Sequence, residues 1–419
     1  MRMREILIVG GGQSGLQLAL SLQEHGYAVT VMTVHSPEEL YTGRAVSMGV
    51  MFGTARAAER AYGLDFWEDE VPPLHGMRIS GYTPEGAPAF TCNGRLARPA
   101  QSIDERVKMA VWLEVFAERG GRVVLHGATV TDLDRLATMY DLTIVATGHS
   151  GLSDVFPVDR SRPTARMPRV ATAIAYIEED PRHPDPDAVG VDIVPGLGHV
   201  IGWSGFSVNG RCRMLAVTGA ADGPLARLPR RVTPEGHLDV LLDIIRTHLP
   251  ERYEAYRGAR LADPRAVAVD HANPQVRHPI AQLPSGRSVL GMGDTVVVTS
   301  PALQQDANNA STAARLYLEA ILAHGDRPFD EAFMRAAFAP YLDYAGPFTG
   351  QVAAHLHFNP PYVTDYVAAA ERYPELADRF VNGFDDPAGL AAWFTDEAAT
   401  RALVAEAENA AAEPPLAHA

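Results

Sequence analysis

Near its start the chain reads Ile6-Leu7-Ile8-Val9-Gly10-Gly11-Gly12-Gln13-Ser14-Gly15, and nothing else in its 419 residues limits the fold so tightly. Four apolar residues in a row suit a strand buried on both faces of a parallel sheet. They run into Gly10-x-Gly12-x-x-Gly15 and then into Leu16 to Leu22, whose apolar spacing is helical. Strand, glycine turn and helix in that order are the setting in which this fingerprint means a dinucleotide site. Gly10 permits the tight turn, Gly12 lets backbone approach a pyrophosphate, and Gly15 lets helix pack on strand. The helix start, with Gln13 and Ser14 in its first turn, offers free N–H groups and about half a positive charge to phosphate.

One usual companion is missing. The second strand, Ala28 to Met32, is expected to lead into an acid that binds a ribose hydroxyl about 20 residues after the fingerprint. Thr33 stands there, and Glu38 and Glu39 lie too far along to replace it. A neutral hydroxyl makes a bond roughly half as strong as a carboxylate's, so the adenosine end is expected to be held loosely.

The net charge of −15 argues against nucleic acid as a partner. The chain is 47% hydrophobic, but no apolar stretch approaches membrane-spanning length. The opening Met1-Arg2-Met3-Arg4 faintly echoes a signal peptide, yet the apolar run breaks into glycines after four residues and reads as a strand. Cys92 and Cys212 are far apart, in no metal spacing, and fit two reduced thiols in a cytoplasmic protein. Among the 15 histidines, neither the His355/His357 pair nor the His271/His278 pair has an acid in helical register, so no metal is expected. Lys108 is the only lysine; within Ile103 to Leu113 it reads as part of a solvated helix face, which leaves Schiff-base chemistry and a P-loop without a candidate.

Along the chain, a helix is expected over Ala55 to Tyr62. A hairpin follows from Met77 to Cys92, turning at Thr83-Pro84-Glu85-Gly86. A buried strand at Asp141 to Ala146 ends in Thr147-Gly148, at the sheet edge where such folds bind ligands. From about Met167 to Asn273 short apolar runs alternate with Gly/Pro turns, as in an antiparallel sheet, with a helix over about Leu238 to Leu249. The strand Ser288 to Gly291 then leads to Gly293-Asp294 and, after Pro301, a helix. From Phe329 on the chain is alanine-rich and helical, with a frayed tail beyond Glu406. The expected division is 1–166 (a nucleotide-binding domain, whose 77–92 hairpin joins the substrate domain), 167–274 (the substrate domain), 275–328 (the return segment) and 329–419 (C-terminal helices).

These residues together resemble flavoprotein monooxygenases of the hydroxylase fold, and most closely the oxygenase component of styrene and indole monooxygenases. The likeness runs over residues 5–400: the glycine fingerprint, Pro37-Glu38-Glu39 before Arg44, Asp104-x-Arg106, Tyr140-Asp141-Leu142 to Gly148, Pro195-Gly196-x-Gly198 with Phe206-Ser207-x-Asn209-Gly210, and Gly291 to Ser311. It implies an α/β fold: a Rossmann-like, glutathione-reductase-like FAD-binding domain with an inserted antiparallel substrate sheet and C-terminal helices. It also implies FAD, supplied reduced, with Asp294 near the ribityl chain and Pro301 beside the isoalloxazine. Gln305, Ala307, Asn308 and Asn309 would open a helix toward the flavin, and Arg44 and Gln101 would touch its chain or phosphates.

The expected chemistry is that of a flavin C4a-hydroperoxide that passes oxygen to an aromatic, styrene- or indole-like substrate. No side chain acts as acid, base or nucleophile. Expected partners are the aromatic substrate, O₂ and a separate NAD(P)H-dependent flavin reductase, with a homodimer left open. Ser47, Met48, His75, Met77, Trp203, Phe206, Val208 and Pro301 are the substrate-pocket candidates. Departures from the family pattern are Gln304 and Asp306 where glycines are usual, Ser47 for an asparagine, and Met77, after His75, for a histidine. A single-component NAD(P)H-dependent hydroxylase is the main rival. A halogenase lacks its Trp-x-Trp-x-Ile motif here, and a non-enzymatic FAD-binding protein would oxygenate nothing.

Overall fold

The computed structural model describes residues 3–47, 49–148, 151–162, 169–228, 231–358 and 360–412. In chain order its strands are β1 (Glu5–Val9), β2 (Ala28–Thr33), β3 (Leu74–Tyr82), β4 (Pro88–Ala100), β5 (Arg122–Leu125), β6 (Leu142–Val145), β7 (Val170–Glu178) and β8 (Ala188–Val194). They continue as β9 (Gly198–Ser207), β10 (Gly210–Ala220), β11 (Val267–Ala272), β12 (Gln275–Val276), β13 (Ile280–Gln282), β14 (Ser288–Gly291) and β15 (Val297–Val298).

The first apolar run sits where its composition demands. Ile6, Leu7 and Ile8 are wholly buried in the middle of a six-stranded sheet ordered β13-β14-β6-β1-β2-β5. All its pairs are parallel except β13 with β14. A parallel strand in this position has both faces covered, so it carries no polar alternation. The helices Gln13–Glu24 and Asp306–His324 pack against each other and share the sheet's core through Leu16, Leu20, Tyr317 and Leu318.

The second sheet has seven strands, β11-β7-β10-β9-β8-β3-β4. It is not antiparallel throughout, as the sequence suggested: β3 runs parallel to β8, Gly76 opposite Ala188. The hairpin β3–β4 comes from the first segment of the chain, far in sequence from the strands it joins. Side chains alternate between two cores with period two. Ala171, Ala173, Ala175, Leu215 and Val217 face the helix Pro234–His248, while Ile174, Tyr176, Ile201, Trp203 and Met214 face residues 45–52 and the C-terminal helices.

Among the described residues, six helices cover 331–412. The last, Glu397–Ala412, continues beyond Glu406, where fraying was expected, because Ala407 is buried against its neighbours and helix formers fill its remaining turns. Residues 163–168, around the expected domain boundary, lie outside the described residues. No helix among the described residues is long and apolar enough to cross a membrane.

Candidate functional site

Three parallel strands, β14, β6 and β1, lie side by side, so the loops leaving them emerge together at one carboxyl edge. Gly10–Gly12, Thr147–Gly148 and Gly293–Asp294, though far apart in sequence, are thereby neighbours. Gly10 has φ +129°, and a Cβ there would stand 2.0 Å from the carbonyl oxygen of Ala146. A Cβ on Gly15 would be 2.2 Å from the Gly10 carbonyl oxygen, which is the close helix–strand approach that the third glycine permits. Gly12 is different: it precedes the helix with no side-chain cap, and its Cβ would meet nothing within 4 Å. The space before this helix start is open, and the first-turn N–H groups face it with no side chain capping them.

The other residues expected at this edge fall into place unevenly. Ser14 lies in the first helical turn against Gly293, its Oγ 3.1 Å from where a Cβ on that residue would be. Thr147 donates its N–H to Thr295 Oγ1 at 3.0 Å, and the Thr147 hydroxyl is buried without a hydrogen bond. Thr33 is buried, its hydroxyl directly behind Gly11. Gln13 turns inward: its amide donates to Gln17 and Glu59, leaving only its backbone for a ligand. Gln101 is likewise committed, its amide donating to the carbonyls of Glu68 and Val71. Arg44 is exposed and makes no ion pair among the described residues.

The second half of the site is the start of the helix Asp306–His324. Gln305 precedes it without capping it by its side chain, and Asn308 ties it to residues 50–52 by accepting from Phe52 N–H and donating to the Val50 carbonyl. Ala307 abuts Gly49, and Pro301 is buried just upstream. Gln304, in a position where glycine is usual, adopts the left-handed conformation at φ +51°. Buried polar atoms without partners crowd this helix start: both amide atoms of the wholly buried Gln305, Gln304 Oε1 and Asn309 Oδ1. Native interiors rarely leave such groups unpaired. Together with the uncapped helix and the open space at Gly12, they form a donor and acceptor set that fits a polar, phosphate-bearing dinucleotide. Asp306 accepts from the Thr299 hydroxyl at 2.8 Å.

Between the two sheets, beside this helix start, lies a small cleft of about 30 Å³. Val46, Ser47, Thr172, Ile174, Ala268, Asp270, Pro301, Gln304 and Asp306 line it. Of the pocket candidates, Ser47 and Pro301 are there. Trp203 and Met77 are buried in the core on the same side of the seven-stranded sheet, and the Trp203 indole N–H has no partner. Phe206 and Val208 pack against the other core, beneath the six-stranded sheet, and the Val208 carbonyl accepts from the Tyr41 hydroxyl at the β9–β10 turn. His75 is exposed on β3, and Met48 lies outside the described residues. The seven described candidates therefore do not converge. Thr172, Ile174, Ala268 and Asp270 went unnoticed because β7 and β11 meet only through a long-range pairing, Thr172 opposite Asp270.

Charged residues next to the cleft correct the reading of the helix Glu105–Glu118. Lys108 is not solvated: it is 3% exposed, ion-paired with Glu59 and 4.9 Å from the Trp112 ring. Arg106 is equally buried, held between Asp104 and Asp263. Burial pushes the Glu105 carboxyl up, with a hydrogen bond from Ser47 opposing. No group of three or more His, Cys, Asp or Glu among the described residues could hold a metal ion.

Residues 148–255, which contain β7 to β10 and the following helix, match the family model described as the styrene monooxygenase A putative substrate binding domain. A styrene monooxygenase StyA of Pseudomonas fluorescens is 28% identical over 396 residues, 92% of this chain and 93% of that protein. A second, from Pseudomonas sp, is 29% identical over 397 residues with the same coverage. Among solved structures, the flavin-dependent brominase Bmp2 superposes with a TM-score of 0.65 at 14% identity, over 98% of this chain and 100% of that one. The tetrameric form of 2-methyl-3-hydroxypyridine-5-carboxylic acid oxygenase gives 0.60 at 16% identity, over 90% and 98%. Identities this low speak for a shared fold.

Proposed function

We propose, from its likeness to the StyA styrene monooxygenases over 92% of the chain, that this is an FAD-dependent monooxygenase of styrene monooxygenase type and the oxygenase component of a two-component system. It takes up reduced FAD made by a separate NAD(P)H-dependent reductase and places one oxygen atom of O₂ on a small aromatic substrate, by epoxidation or hydroxylation. The observation that carries this reading is the convergence of Gly10–Gly12, Thr147–Gly148, Gly293–Asp294 and the uncapped helix start at Gln305–Asn309 beside a small cleft. FAD, when bound and reduced, supplies the activation of O₂.

The chain's own residues bind, orient and exclude water. The first-turn N–H groups of the helix at Asp306 favour negative charge on the reduced flavin ring, and Gly12 leaves room for the pyrophosphate. Asp294 serves the ribityl hydroxyls and the Thr147 hydroxyl lies within the same edge. Ile174, Ala268 and Pro301 give the cleft its apolar walls, which suit a flat ring and keep the reacting centre dry. Asp270 and Asp306 add acceptors, which favours a ring carrying a hydrogen-bond donor, such as indole, over plain styrene. Thr33 in the ribose position weakens the hold on the adenosine half, as an enzyme that exchanges its flavin at each turnover needs.

The test is the flavin content and affinity of the purified protein. It should emerge from gel filtration nearly colourless and bind reduced FAD at least tenfold more tightly than oxidised FAD in anaerobic titrations. Retention of stoichiometric oxidised FAD would overturn the exchange, and with it the need for a separate reductase.

A further inference from the structure

The face of the seven-stranded sheet turned away from the cleft carries a second, unrelated polar cavity. It measures about 380 Å³, is open to solvent, and is lined by His183, Arg213 and Tyr256 at its inner end and by Arg182, Arg257 and Arg260 nearer the surface. Those three outer arginines are exposed and already paired with Asp180, Glu254 and Glu178. The inner end is not balanced in this way. Arg78 and Arg252 share Asp185 and Asp192 in a buried cluster, whereas Arg213, 2% exposed, has no carboxylate of its own: its Nη1 donates to the Asp185 carbonyl at 3.0 Å and the Tyr256 hydroxyl lies beside the guanidinium. Three guanidinium groups thus face two carboxylates, and one buried positive charge is left over.

The unpartnered atoms all have the same polarity. Arg213 Nε and Nη2, which form one edge of the guanidinium fork, have no anionic acceptor and make no hydrogen bond of good geometry, the Tyr256 hydroxyl being the polar group beside them. His183 Nδ1 accepts the Asp185 N–H at 3.1 Å, and burial together with the adjacent Arg213 pushes its pKa down to about 3. The ring is therefore neutral with its proton on Nε2, and that N–H is buried and unpartnered as well. The His183 ring is held by Tyr256, their centroids 5.3 Å apart. A buried charge left without a counter-ion is strongly unfavourable, and the Nε/Nη2 edge matches the two oxygens of a carboxylate or phosphate.

We propose that this cavity is a binding site for a small oxyanion, a carboxylate or phosphate group seated on the Nε/Nη2 edge of Arg213 and on His183 Nε2–H. The site lies across the sheet from the cleft, and its occupant is neither the flavin nor the substrate of the proposed reaction. The unbalanced charge of Arg213 attracts the anion, and its fork fixes it.

Calorimetric titration at low ionic strength with inorganic phosphate and, separately, with benzoate tests this. At least one probe should bind saturably with one site per chain, and the two arms decide between phosphate- and carboxylate-bearing ligands. Arg213→Lys, which keeps the charge but removes the fork, should weaken binding about tenfold while leaving FAD affinity unchanged. In the unaltered protein, NMR resonances of the His183 ring should shift with the same saturation curve, a readout that needs no variant to fold. Failure of both probes to saturate, equal affinity in the lysine variant, or a His183 signal unmoved by the anion would each overturn the site.

Discussion

At the scale of single residues, the glycines of the first turn have distinct jobs that substitution separates. Gly10→Ala forces a Cβ against the Ala146 carbonyl in a conformation that L-residues avoid, and should destabilise the fold by roughly 3 kcal/mol in urea melts. Gly12→Ala meets open space at an ordinary φ of −89°, so it should melt normally yet bind FAD about tenfold or more weakly. Equal effects of the two on stability would contradict the division. Gln304→Gly releases a left-handed side-chain-bearing residue and should raise stability by about 1 kcal/mol, read from the melting curve. Asp294→Ala should cost about 1.5–3 kcal/mol of FAD binding, visible in a fluorescence titration. The strand–turn–helix itself was legible in the sequence, since a glycine fingerprint is a local constraint. The inward turn of Gln13 was not, because Glu59 and Gln17 reach it only in the folded state.

At the scale of elements, burial of charge decides how the helices around the site are locked. Glu59 joins the helices Gly53–Ala61, Glu105–Glu118 and Gln13–Glu24 by accepting from Lys108 and Gln13. Breaking a buried pair strands the partner charge, so Lys108→Met should lower unfolding stability by about 3–5 kcal/mol. A loss within about 0.5 kcal/mol in chemical denaturation would mean that the lysine is solvated after all. Periodicity could not foretell its burial, because the helix is covered on most sides and its exposed strip is confined to its last turns, at Glu114, Ala117 and Glu118. The same holds for the strands that wall the cleft. The short alternating runs foretold a sheet, but not that β7 would lie beside β11 or that β3 would run parallel to β8. Hence Ile174→Phe should change the ratio of kcat/KM between a one-ring and a two-ring aromatic by roughly tenfold, while Val208→Phe should not.

At the scale of the whole molecule, two sheets meet so that one supplies the strand ends for a dinucleotide and the other roofs the cleft beside it. That division was readable from the order of motifs along the chain; the second, anionic-ligand cavity was not, because its residues come from the end of β7, from β10 and from two connecting segments far apart in sequence. Thr33 and a net charge of −15 fit a protein that lets FAD come and go and has no second anionic dinucleotide to hold. The most direct test is a single-turnover comparison in air-saturated buffer with indole or styrene. Chemically reduced FAD given to the isolated protein should yield oxygenated product without NAD(P)H, and NAD(P)H with oxidised FAD should yield none until a flavin reductase is added. Stoichiometric NAD(P)H oxidation and product formation by the isolated protein would contradict the account and make it a single-component hydroxylase.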